Sequence, residues 1–367
     1  MTELKTEEYY LSMGPQHPST HGVLRLLLKL DGEVILQATP DMGYIHRGLE
    51  KIAENRLYLQ IIPFTDRLDY LSSMSNNLAY VLAVEKLANI AVPPRVEYLR
   101  VIMAELNRIA SHLIWLGTLA LDLGAITPFL YCFREREQVL DLFEMSAGAR
   151  LTYNYMRFGG VARDVSTEFI KGTADFIKTF ESKIAEYEAL LTNNPIFLAR
   201  TKQVGIITPK QAIGYGLSGP LLRASGIKYD LRRALPYSIY EKFSFDIPTG
   251  ELGDCWDRYI VRIREMRESI KILEQALAGL PAGDFKVKVP LNLKPPAGET
   301  YVPIESPRGE FGFYIVSTGA NKPYRLKIRA PSFCNLSIIS NLLKGWKVAD
   351  VVAILGTFDI VLGEVER

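Results

Sequence analysis

The chain has 367 residues, 48% of them hydrophobic, with 43 Lys and Arg against 41 Asp and Glu and a formal charge of +2. That length suffices for a large buried core, in one big domain or two intimately packed ones, and the charge balance excludes the global basic field of nucleic-acid binders. Cys132, Cys255 and Cys334 lie far apart and form no CxxC pair, which argues against a disulfide framework and against a zinc or iron–sulfur site held by this chain.

Met1 to Tyr10 carries Glu3, Glu7 and Glu8 and no basic-then-apolar pattern, so a secretory signal is not expected. Next comes a loop rich in Gly and Pro, Gly14 to Gly22, that carries two of the four histidines, His17 and His21. Glycine and proline break both helix and strand periods, so a shaped turn presents these imidazoles, and a neutral imidazole exchanges protons near physiological pH. From Val23 to Thr39, Leu24, Leu26, Leu28 and Leu30 alternate with Arg25 and Lys29, and Asp31 and Gly32 divide this run from Val34 and Leu36. The pattern predicts a β-hairpin with an Asp-Gly turn that anchors the histidine loop.

A helical block is expected from about Arg47. Its clearest member opens at Pro93 and Pro94, with Leu99, Ile102, Met103, Leu106, Ile109, Ala110 and Leu113 as a single buried stripe. Further helices are predicted over Phe133 to Gly148, Ser166 to Leu191 and, N-capped by Asp254, on to about Leu280. Pro281, Pro290, Pro295 and Pro296 then mark a change of composition, followed by strand-like runs at Phe311 to Val316 and Tyr324 to Ile328 and a helix near Val348 to Leu355. The fold class expected is α+β, mostly helical, divided as 1–45 (N-terminal loop and β-hairpin), 46–280 (helical bundle) and 281–367 (C-terminal β subdomain with a terminal segment). The longest apolar stretch, Leu113 to Leu121, falls short of the roughly 18 to 20 residues that cross a bilayer, so membrane association is expected to be peripheral.

Several local patterns have plain structural readings. Gly214, Gly216 and Gly219 satisfy GxGxxG, but no strand runs into Gly214, and Thr208 to Gln211 resembles a capped helical turn; a structural turn is expected there, not a nucleotide site. His17, His21, His46 and His112 show no compact metal-ligand spacing, and His112, on an amphipathic helix, is expected to be a hydrogen-bonded structural residue. Arg134, Glu135, Arg136 and Glu137 read as an ion-paired helix face. Asp122, among leucines, leaves two readings open: a helix end turned to solvent, or a carboxylate paired with an imidazole.

In order along the chain stand GPQHPSTHGVLRL from Gly14, GYIHRGLEKIAENR from Gly43, RLDYL from Arg67, PPR from Pro93, ELNRIASHL from Glu105 and LDLGAITPF from Leu121. FRERE from Phe133, RFGGV from Arg157, SGPLLRASG from Ser218, VRIREMRESIKI from Val261 and RAPSF from Arg329 follow. From about Tyr10 to Arg367 this series resembles the 49-kilodalton subunit family of respiratory complex I, which is related to the large subunits of nickel–iron hydrogenases. The resemblance implies a hydrogenase-like fold without the metal. Asp69 and Ser72 stand where the first thiolate pair would be, and Val361 and Glu364 where the second would be.

The resemblance further implies that the vacated cavity takes a quinone headgroup, menaquinone or ubiquinone, with His21 and Tyr70 bonding its carbonyls and Asp122 holding the histidine. Electrons would come from a [4Fe-4S] cluster held by a neighbouring small iron–sulfur subunit (B type), approached by Arg47 and Arg67, with no metal on this chain. Further implied partners are a C-type subunit and an H-type membrane subunit, in a proton-translocating NADH (or other donor):quinone oxidoreductase at the cytoplasmic face of the cell membrane. Thr152 occupies the position of a family histidine near the cluster, and it cannot titrate. Residues 281–300 are shorter than in many relatives.

Overall fold

The computed structural model describes residues 7–367; the reading of the first ten residues falls largely outside them. The hairpin forms as its alternation dictates. Strand β1 (Glu8–Met13), β2 (Arg25–Asp31) and β3 (Val34–Asp41) make an antiparallel sheet in the order β1-β2-β3. Leu24, Leu26, Leu28 and Leu30 are fully buried, and each contributes about 1.5–3 kcal/mol relative to an exposed position. Asp31 pairs with Val34, so the turn is Gly32–Glu33, and Gly32 takes the positive φ of 58° that the turn requires. β1 was not expected. It is an edge strand that buries only Met13, so it carries no apolar alternation.

The central helices are α1 (Tyr58–Thr65), α2 (Ser73–Ala88), α3 (Pro94–Asp122), α4 (Ile126–Ala147), α5 (Thr167–Leu191) and α6 (Cys255–Ala278). α4 starts one to two turns earlier than predicted, because Thr127 and Pro128 are tolerated in a first turn. Capping follows the sequence signals: the Ser166 hydroxyl accepts from Phe169 N at 3.2 Å and the Asp254 carboxylate from Asp257 N at 2.8 Å. A second antiparallel sheet, β4 (Gly298–Ser306), β5 (Gly309–Ser317) and β6 (Arg325–Arg329), packs its Phe311, Phe313 and Ile315 into the helical core. β4 was missed because a Pro-rich stretch precedes it and Pro303 interrupts it.

After this sheet come α7 (Val348–Phe358) and α8 (Leu362–Glu366). A second apolar core joins the leucines of β2 to Ile354, Leu355, Phe358, Leu362 and Val365 of these helices and to Val204, Leu221 and Leu222. The N-terminal histidine loop is thereby held against the end of the chain. No helix among the described residues is long and apolar enough to cross a membrane.

The glycine-rich pattern is a packing device. Thr208 and Gln211 form a capping box, and Gly219 lies so close to the β4–β5 turn that a Cβ would meet Gly309 Cα at 2.4 Å. The ion-paired reading of Arg134–Glu137 holds for three of the four. Arg134 pairs with Glu135 at 2.5 Å and Glu186 at 2.8 Å, and Glu137 pairs with Arg150, but Glu135 is also buried under the Tyr187 hydroxyl at 2.5 Å, and Arg136 is buried over the Phe133 ring without an ion pair. The face packs against α5 and is only half solvated.

Candidate functional site

The histidine loop is a short 3-10 turn, Pro18–Thr20, locked from within. His17 Nδ1 accepts from Ser19 N at 3.2 Å, and the Thr20 hydroxyl donates to His17 O at 2.8 Å. His21 closes the turn in the left-handed conformation, φ 52° and ψ 49°, a region in which histidine is enriched among residues bearing a side chain. This backbone turns its ring to the C-terminal end of α3. There Nε2 lies 2.9 Å from Asp122 Oδ2, both side chains being largely buried. The alignment falls short of a good hydrogen bond, so the contact is a close approach that is free to tighten. Of the two readings left open for Asp122, the structure adopts pairing with imidazole.

Gly356 of α7 forms the wall of this contact. A Cβ there would stand 3.7 Å from both His21 Nε2 and Asp122 Oδ2, and the Gly356 carbonyl accepts from the Trp115 indole at 2.8 Å. Three residues later, at the end of α7, Asp359 meets Arg308 from the β4–β5 turn. Arg308, fully buried, donates to Asp359 O at 2.8 Å, Asp359 Oδ1 at 2.9 Å, Asp69 Oδ2 at 2.6 Å and the Ser111 hydroxyl at 3.0 Å. Asp69 in turn accepts from Leu71 N at 3.1 Å, which fixes the loop that presents Tyr70. The Tyr70 ring is 42% exposed. Partial burial raises its phenol pKa; Arg308 works against this and Asp69 with it.

The structure thus joins His21 to Asp122 and ties both, through α7 and Arg308, to the segment bearing Tyr70. It shows no hydrogen bond between Tyr70 and either of them. Ser72 and Glu364 are buried, the Ser72 N–H donating to Asp69 O at 3.0 Å, and Gly363 abuts the Leu68 carbonyl, where a Cβ would come within 2.5 Å. The two segments read as replacing thiolate pairs therefore meet. Among the described residues no group of three or more His, Cys, Asp or Glu side chains is arranged to hold a metal ion.

Arg47 and Arg67 also come together. The Arg47 guanidinium, its pKa lowered chiefly by partial desolvation, donates to Arg67 O at 3.1 Å and to Gly363 O at 2.8 Å, while the residue stays exposed to solvent. Arg67 donates to Pro63 O at 2.5 Å and leaves its head exposed. His46 bonds the Glu366 carbonyl, and His112 bonds Glu265 at 3.0 Å in the helical core; both are structural. Sequence reasoning missed Arg308 and Asp359. Arg308 sits in an ordinary Pro-Arg-Gly turn, and only its tertiary position reveals it.

The family model for the 49 Kd subunit of respiratory-chain NADH dehydrogenase matches residues 122–294 and 285–367. The NADH-quinone oxidoreductase D-type chain of Dehalococcoides mccartyi is 58% identical over 365 residues, spanning 99% of this chain and 100% of the relative. The corresponding chains of Desulforamulus reducens and Bacillus cereus are 53% and 54% identical, each over 99% of this chain and at least 99% of the relative. These likenesses make the chain a component of an oxidoreductase complex. It belongs to the family of the 49-kilodalton subunit of respiratory-chain NADH dehydrogenase.

Proposed function

We propose that this chain provides the quinone headgroup site of a proton-translocating NADH (or other donor):quinone oxidoreductase of the complex I type. The observation that carries the reading is the His21–Asp122 contact at 2.9 Å, joined by one buried arginine to the segment that presents Tyr70. Converting a quinone to a quinol takes two electrons and two protons. A phenol and an imidazole at the two carbonyls supply both hydrogen bonds and both protons. Asp122 steadies the imidazolium before transfer and favours its reprotonation afterwards.

Electrons would arrive singly from a [4Fe-4S] cluster on a small iron–sulfur subunit of the B type. The guanidinium groups of Arg47 and Arg67 suit that neighbour, because fixed positive charge favours its reduced form. Partners of the C type and the membrane H type complete the surroundings, and the chain sits peripherally at the cytoplasmic face of the membrane. In the same reading, residues 1–45, 46–280 and 281–367 form the three parts of a hydrogenase-like large subunit, refitted with Asp69, Ser72, Val361 and Glu364 in place of thiolates.

A photoreactive menaquinone or ubiquinone analogue, bound to the assembled complex, tests this directly. Labelling is expected on the peptides that carry His21 and Tyr70; labelling confined to remote peptides overturns the reading, and stoichiometric nickel in the purified complex would favour hydrogenase chemistry instead. Thr152 adds a second expectation. A redox titration of the neighbouring cluster at several pH values is expected to give a slope well below the ~59 mV per pH unit of a fully coupled one-electron, one-proton centre; the full slope contradicts it.

A further inference from the structure

Behind Tyr70 lies a set of buried acids that the two-proton reaction leaves unused. Asp69 comes from the loop before α2, Asp359 from the end of α7 and Glu364 from α8, and all are buried. Arg308 bonds Asp69 and Asp359 but not Glu364. A second cation, Arg262, stands over the Trp115 ring with its Nε 4.0 Å from Asp359 Oδ2. Arg47 directs its hydrogen bonds to the carbonyls of Arg67 and Gly363. Glu364 finds hydrogen-bond donors on Ser332 alone, the backbone N–H at 2.8 Å on Oε1 and the hydroxyl beside it, while its Oε2 is buried without a partner.

Fully ionised, this cluster sets three carboxylates against two guanidinium groups. The uncompensated charge falls on Glu364, the one acid with no cation in contact. An ionised carboxylate so placed is costly, whereas a neutral acid with one hydrogen bond is not. We propose that Glu364 is a buried carboxylic acid that stores one proton for the quinone site and returns it, by way of Asp69, to Tyr70. The proposal rests on the quinone-site reading of Tyr70. Burial, and next the charge of Asp69, raise the Glu364 pKa, with Arg308 and the Ser332 bond opposing only in part; Asp69 is likewise raised, chiefly by burial.

The balance is simple. A quinone takes two electrons from the neighbouring iron–sulfur cluster, one proton from the Tyr70 hydroxyl and one from His21, and leaves as quinol. Asp69, a carboxylate in its bond to Arg308, then takes the proton of Glu364 and passes it to the Tyr70 phenolate, so the O–H bond of Glu364 breaks, that of Tyr70 forms, and Glu364 is left as a carboxylate. No electrons move in this second stage, and Glu364 recovers its proton from solvent before the next turnover.

The test is Glu364→Gln in the assembled complex, because glutamine keeps the shape and neutrality of the acid but cannot give up a proton. Quinone reductase kcat is expected to fall about tenfold, less than the ~10²–10⁴ of a directly acting acid, with KM unchanged and Glu364→Asp partly restoring the rate. In wild-type complex, the infrared difference spectrum induced by quinone reduction is expected to show a protonated-carboxyl band that shifts in D₂O. Wild-type turnover in Glu364→Gln, or the absence of that band, overturns the proposal. Tyr70→Phe run alongside separates the two levels: full turnover there overturns the quinone-site reading itself, whereas an inactive Tyr70→Phe beside a normal Glu364→Gln overturns only the proton store.

Discussion

Tyr70→Phe and His21→Asn are each expected to lower quinone reductase turnover of the assembled complex by roughly 10²–10³, within the range a positioned proton donor supplies. Tyr70→Phe removes one hydroxyl from a ring that is 42% exposed, so it opens no cavity and leaves the Asp69–Arg308 contact in place. Asparagine is the suitable replacement for His21 because the backbone there has φ 52°. It tolerates the left-handed region better than alanine does and still forms hydrogen bonds, but it does not carry a proton near neutrality. Asp122→Asn is expected to be milder, because it acts through His21. Assembled complexes of both variants that turn over at the wild-type rate would reduce the site to a relict cavity in a structural scaffold.

Glu105→Gln carries the largest expected cost to folding. Glu105 is fully buried on α3, 3.2 Å from both Arg108 and Arg232 and bonded by the Ser269 and Tyr240 hydroxyls at 2.7 Å each. Burial alone would raise its pKa; the two guanidinium groups and the two hydroxyls outweigh that and hold it at about 2. Because the folded value lies below the ordinary one, the stabilisation is present above pH ~4.5 and is lost as pH falls through ~2; the shift corresponds to about 3 kcal/mol. Neutralising the residue leaves two buried arginines facing each other without their shared counter-ion, a loss of about 3–5 kcal/mol from a total stability that is typically ~5–15 kcal/mol. The variant complex is expected to melt far below wild type, or to lack this chain on native gels. Unchanged melting would mean that Asp230, bonded to Arg232 at 2.7 Å, already balances both cations.

The contrast between what the sequence discloses and what it conceals follows from the range of the forces involved. The stripe from Leu99 to Leu113, the leucines of β2 and the caps at Ser166 and Asp254 are local: each is written within one or two turns of chain, and each element formed close to its expected bounds. β1 and β4 were hidden because an edge position and a proline remove the alternation that marks a strand. At the site, His21 stood out in its Gly- and Pro-rich loop and Asp122 among its leucines, but they suggested only proton chemistry; Tyr70, Arg47 and Arg67 were named through a family resemblance. The pairing of His21 with Asp122 was one of two open readings, and no local pattern distinguished them. Arg308 and Asp359 escaped notice because an arginine in a turn and an aspartate at a helix end are commonplace until the fold brings them together. Arg136 misled for the opposite reason: alternating charges resemble an ion-paired face, and only the fold shows that Glu135 and Arg136 are covered and that Arg136 has no ion pair.

The contacts that build this region span most of the polypeptide: 239 positions separate Asp69 from Arg308, and 321 separate Ile45 from Glu366. A nascent chain that has not yet released its final helices from the ribosome has no partner for the histidine turn and no wall at Gly356. This site is consequently completed late in biosynthesis, after long loop closures that tend to fold slowly.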